Sequence, residues 1–76
     1  MASLVSALET EFTPAVGDFI ISVTGGPATL VRKNSSGTAF AVVEAGIVGA
    51  KICSNPIAAA VYKFQAHGAP TVQADQ

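Results

Sequence analysis

Little in this chain of 76 residues can do chemistry. It has one cysteine, Cys53, one histidine, His67, no tryptophan, and only four basic and five acidic side chains. A single cysteine forbids an internal disulfide. One histidine among scattered carboxylates gives no ligand set, so no metal and no cofactor is expected. Arg32-Lys33 is the only adjacent basic pair, which is too little for the phosphate contacts that nucleic-acid binding needs. A membrane-spanning helix takes about 20 consecutive apolar residues. The most apolar run, FAVVEAGIVGAKI over residues 40–52, is interrupted by Glu44 and Lys51 and weakened as a helix by Gly46 and Gly49. No nucleic-acid partner and no membrane partner is therefore expected. The start, MASLVSALETEF, lacks the basic region and sustained apolar run of a secretory signal. The lone thiol fits assembly in a reducing cytoplasm.

The few reactive groups do not combine into a catalytic set. Cys53 with His67 lacks an orienting third group and an oxyanion site, and a lone strand cysteine is usually a small buried hydrophobe. His67, in AHGAP, reads as a solvated loop histidine. Gly25-Gly26 precedes a proline and a strand, not the helix that a phosphate loop opens. The carboxylates of Asp18, Glu44 and Asp75 have no calcium-loop spacing. No catalytic residue is assigned, and the chain is expected not to be an enzyme.

What the chain has in quantity is apolar surface. Hydrophobic residues make up 50% of it, charged residues 12%, and mean hydropathy is +0.51. A domain of this size buries only about 60% of its unfolded surface and is marginal alone. Without disulfide or metal, oligomerisation or docking onto a larger body is left as the support. Exposed apolar patches commonly mark such contacts.

Turn signals at TP, GGP, NSSG, the Gly46–Gly49 region, NP and GAP recur at intervals of about 8–12 residues, the spacing of an all-β sandwich or barrel. Between them, DFIISVT (18–24) alternates Phe19, Ile21 and Val23 against Ile20, Ser22 and Thr24. ATLVRK (28–33), the turn NSSG and TAFAVVE (38–44) read as a hairpin. Residues 50–54, 60–66 and 71–75 are further strands. Residues 3–13 read equally as a helical turn, through Leu4, Leu8 and Phe12, or as an extended arm. The expected organisation is an N-terminal arm or docking segment, 1–16, and a β-sandwich domain, 17–76.

The predicted core is Phe19, Ile21, Val23, Leu30, Phe40, Val42, Ile52, Tyr62, Phe64 and Val72. Tyr62 is expected to close a corner through its hydroxyl, with NPI upstream. Apolar residues left over from this core, Ile20, Val31, Val43, Ile47, Val48 and Val61, are assigned to a partner interface. Leu4, Leu8 and Phe12 of the arm join them.

GDFIISVTGGPATLVRKNSSGTAFAVVEAG followed by NPIAAAVYKFQA resembles the small Ig-like or fibronectin-like modules of tailed bacteriophages. The likeness spans about residues 17–76 and rests on the Gly-Gly turn, the TLVRK strand, the polar hairpin before Phe40 and the later YKF strand. It departs in having no tryptophan in the hairpin. The resemblance implies an all-β, single small Ig-like antiparallel sandwich of six or seven short strands. It also implies a virion protein of the capsid decoration, or cement, type, bound to the major capsid protein on the capsid surface as a trimer or dimer. A tail or head-fibre module that binds a host-surface carbohydrate or receptor through its loops is the alternative.

Overall fold

The computed structural model describes residues 2–34 and 36–76. It is all-β. Five strands form one antiparallel sheet: β1 Ser3–Val5, β2 Gly17–Lys33, β3 Phe40–Asn55, β4 Tyr62–Gln65 and β5 Thr71–Asp75. The path runs β1-β5-β2-β3, and β4 also pairs with β2. No helix occurs among the described residues.

The six or seven short strands that the pattern predicts are therefore five, and two of these are long. Residues 18–24 and 28–33 belong to one strand, as do 38–44 and 50–54 in all but their first two positions. The Gly-Gly-Pro signal bends β2 without ending it. The ladder to β3 stops at Val23↔Gly49 and resumes at Ala28↔Ile47, so residues 24–27 of β2 lie opposite Val48 alone. Gly25 (φ 85°) and Gly26 (φ 137°) take the conformations this needs, and Gly46 (φ 67°) and Gly49 (φ 83°) do so on β3.

The bend folds the sheet onto itself. Phe19 and Arg32 are thirteen positions apart on β2, which in a straight strand is roughly 43 Å. The molecule is only 31 Å in its longest extent. Tyr62 pairs with Arg32, yet its ring centroid lies 5.4 Å from that of Phe19. One layer thus holds β1, β5 and the first half of β2 against the second half of β3. The other holds β4 and the second half of β2 against the first half of β3.

Between the layers lie Phe19, Ile21 and Val23 from before the bend, Ala28 and Leu30 from after it, and Tyr62, Phe64, Val72 and Ala74 from the short strands. The five-residue step from Val23 to Ala28 reverses the alternation, so odd positions point inward before the bend and even ones after it. Seven of the ten predicted core residues are buried here. Phe40, Val42 and Ile52 are not. Phe40 is half-buried on the outer face, and Val42 and Ile52 are each 65% exposed. In their place the core takes Ile47, whose side chain enters at the bend opposite Ala28.

Residues 2–16 are integrated into the sheet. Ala2 and Gln76 exchange both backbone hydrogen bonds (2.8 and 2.9 Å), and Phe12 does so with Tyr62 (2.9 Å each). The Glu9 N–H donates to the Phe64 carbonyl at 2.9 Å. Residues 9–12 therefore cover the outer side of β4. The Phe12 ring stacks at 5.8 Å on both Tyr62 and Phe64, inside the core.

Candidate docking strand

The nine positions assigned to a partner surface do not form one surface. Phe12, Val31 and Ile47 are buried, at 5%, 2% and 4% exposure. Phe12 turns inward because its backbone pairs with Tyr62, and Ile47 because the bend carries it under β2. Val31 lies on the outer face between its register neighbours Val42 and Lys63. Leu4 and Leu8 are half-buried and pack against the core. Ile20 and Val61 are half-buried. Val43 and Val48 are exposed, and both lie on β3.

β3 is where the exposed apolar surface gathers. Val42, Val43, Val48 and Ile52 are four of the six large hydrophobics exposed in the described residues. Only Ile47 and Asn55 of the strand are buried. The reason is topological: β3 pairs with β2 on one side and, among the described residues, with nothing on the other, along both layers. It is an edge of sixteen residues, whereas the opposite edge, β1, has three.

The inner face of this edge carries charge. Glu44 is opposite Leu30 and Lys51 is opposite Ile21, and residues directly opposite share a face of the sheet. Both charges thus sit on the core side of their layers, at the open mouth of the fold. They meet there, Lys51 Nζ to Glu44 Oε2, at 3.1 Å. Cys53, also on the inner face, is partly buried against the core. Burial pushes its thiol pKa up; nearby Lys51 opposes the shift and Glu44 adds to it. A thiol held protonated is a weak nucleophile.

The outer face of the second layer is a charged and aromatic patch. Lys63 Nζ lies 4.3 Å and Lys33 Nζ 5.4 Å from the Phe40 ring centroid. The same two lysines pair with Glu9 (3.0 Å) and Glu11 (3.3 Å). This arrangement shelters Phe40, which the sequence places in the core.

Tyr62 and the turn-signal residues Asn55 and Asn34 have structural partners. The Tyr62 hydroxyl donates to Asn55 Oδ1 at 3.0 Å, and Asn55 Nδ2 donates to the Pro14 carbonyl at 3.0 Å. Asn55 is 1% exposed. The corner expected of Tyr62 is closed through a side chain that sequence reasoning treated as a loop residue. Asn34 Oδ1 accepts from the Thr38 N–H at 3.0 Å and fixes the β2–β3 turn. His67 is exposed and lines a shallow hollow of about 260 Å³ beside Gly25, Gly26 and Gly46, at the bend. A second, open hollow of about 650 Å³ lies between Asn34, Ser36 and Gly37 on one side and residues 57–61 on the other, with Arg32 in its wall. Among the described residues no group of three or more His, Cys, Asp or Glu side chains is placed to hold a metal ion.

Comparison of the chain with protein-family models, with curated protein sequences and with solved structures finds no match.

Proposed function

We propose that this chain is a non-enzymatic structural protein of a phage virion, which decorates the outer capsid and bridges neighbouring major capsid subunits. The observation that carries the reading is β3: a long edge strand with Val42, Val43, Val48 and Ile52 in solvent. Such a strand offers an unpaired row of N–H and C=O groups together with apolar side chains, the two components of strand addition to another chain. The resemblance to Ig-like phage modules supplies the partner, and it extends the folded two-layer sheet to a small Ig-like sandwich. A body only 16 Å through in its thinnest extent suits a cement protein, which acts by burying surface across subunit boundaries. Assembly takes place in the host cytoplasm, and the finished protein sits on the capsid surface.

The test is co-sedimentation of the purified chain with undecorated capsids, followed by the temperature at which the shells burst. Binding that raises the bursting temperature, and that is lost in Val48→Asp, supports the proposal. Capsids that neither bind the chain nor gain stability from it sink the proposal.

The hollow beside Arg32 favours a second reading, a tail or head-fibre module that holds a host-surface carbohydrate. Glycan affinity that falls in Arg32→Ala, with no capsid binding, would select it.

A further inference from the structure

We propose that β3 is a self-pairing edge. Two copies of the chain join about a two-fold axis that runs through the β3 bend, so that residues 40–45 of each copy pair antiparallel with residues 50–54 of the other. The inference rests on β3 being a contact strand, as in the functional reading, and not on the identity of any larger body.

Backbone direction on both halves of β3 comes from bonds elsewhere in the sheet. The Lys33 N–H donates to the Val61 carbonyl at 2.8 Å, away from β3. In an antiparallel ladder the residue opposite Lys33, Phe40, must then aim its own N–H and C=O at the free edge, and so must Val42. On the other layer, Gln76 exchanges bonds with Ala2. Alternation along β5 turns Asp75 toward Ile20, and Ile20 therefore away from Ile52. Ile52 is left aiming its N–H and C=O at the free edge, with Ala50 and Ser54.

Side chains fall into the same scheme. Glu44 and Lys51 meet across the fold at 3.1 Å. Their partners on β2 stand evenly about the bend, Ile21 four positions before Gly25 and Leu30 four after Gly26, so Glu44 and Lys51 lie about equally far from it. A two-fold axis through the bend therefore brings Glu44 of one copy level with Lys51 of the other. The ladder steps from Leu30↔Glu44 to Val31↔Val42, which makes Val43 an extra, bulged residue. Counting across that bulge, Val42 meets the second copy's Ile52, Phe40 meets its Ser54, and Val43 with Glu44 faces its Lys51. Ala45 meets its Ala50.

In this register every edge-directed backbone group named above meets another. Outer-face side chains meet outer-face side chains, and the two residues that are each 65% exposed, Val42 and Ile52, cover one another. Each Glu44 lies between two lysines, its own Lys51 and that of the second copy. The dimer closes on a ring of four alternating charges. The complementarity is between the two halves of one strand, FAVVEA and AKICS, so the occupant that fits it is a second copy.

The experiment is sedimentation of the full chain over a concentration series, with the charge-reversal variants E44K and K51E alone and mixed. The wild type is expected to dimerise. Each variant puts like charges opposite one another twice per dimer, so its dissociation constant should rise roughly tenfold or more. The equimolar mixture should recover the dimer, because each E44K edge then faces a K51E edge. An intrachain ion pair alone cannot produce recovery by mixing. In parallel, the Val42 and Ile52 amides of the wild type should be protected from hydrogen exchange in the dimer and exchange freely on dilution. A wild type that stays monomeric, variants that dimerise as the wild type does, a mixture without recovery, or amides indifferent to dilution would each overturn the proposal. Capsid binding is scored separately: a monomer that binds capsids overturns self-pairing alone, and a dimer that does not bind them overturns the functional reading alone.

Discussion

Glu44 and Lys51 are seven positions apart on a single strand, and their side chains meet at 3.1 Å. In a straight strand their Cα atoms would be roughly 23 Å apart. The contact exists because β3 folds over with β2, and because both residues face inward at the edge. Inward-facing charge and a kinked backbone are devices by which natural sheets keep an edge from pairing indiscriminately. Here they leave one complementary arrangement open instead of none.

That ion pair is expected to contribute little to the stability of a single chain. Its members are 45% and 42% exposed, and pairs so placed are worth about 0–1 kcal/mol. Glu44→Gln should lower the unfolding free energy of a dilute sample, measured in urea, by an amount within that range. A loss above about 2 kcal/mol, outside the surface-pair range, would mean that the pair clasps the fold shut.

Phe12 separates an arm from a core strand. Its ring lies 5.8 Å from Tyr62 and Phe64 and 6.2 Å from Phe19. Phe12→Ala should cost about 3–5 kcal/mol, as large-to-small aromatic changes in cores do, measured by denaturant unfolding. A docking arm would lose almost nothing. Unchanged stability would remove residues 9–12 from the fold described above.

Tyr62→Phe deletes one oxygen and leaves Asn55 Oδ1 without the hydroxyl that it accepts from. Asn55 is 1% exposed, so water cannot replace that donor without opening the corner. The expected loss is about 1–3 kcal/mol, again by denaturant unfolding. A neutral result would mean that the Asn55 bonds to Pro14 and Ala15 hold the corner alone.

Alternation made Phe19, Ile21 and Val23 legible as one inward face, and Tyr62 with Phe64 as another. It reads faces within a strand and says nothing about which strand is an edge. The sequence pattern places Val42 and Ile52 in the core alongside Val23, yet no neighbour covers them. Gly25-Gly26-Pro27 could end a strand or bend it. The choice depends on whether β3, some twenty residues on, has glycines in step with it, as Gly46 and Gly49 are. Leu4, Leu8 and Phe12 have a helical spacing by coincidence. Pairing of Phe12 with Tyr62 and of β1 with β5 overrides that local preference.

Cys53 should resist alkylation. Burial raises its thiol pKa, so less thiolate is present at a given pH than in a free cysteine. Iodoacetamide should modify the folded chain more slowly than the urea-unfolded one at pH 8. The sign for stability follows from proton binding: the native state keeps this proton when the unfolded state has lost it. The contribution is fully present below the unfolded thiol pKa and is lost as pH rises through the folded value. A fast reaction in the folded state would mean that the inner face of β3 opens at the Glu44–Lys51 mouth.

Val48 and Ile47 are neighbours of similar size and opposite fate, at 70% and 4% exposure. Val48→Asp should leave stability within about 0.5 kcal/mol, as surface changes do, because nothing is buried with it. Ile47→Asp places an unpaired carboxylate in the core opposite Ala28, and the chain should not fold. The pair therefore tests docking and folding apart. If Val48→Asp keeps the native near-ultraviolet spectrum and still loses capsid binding, the exposed side of β3 is the contact. If it keeps both, the bend lies outside the capsid contact.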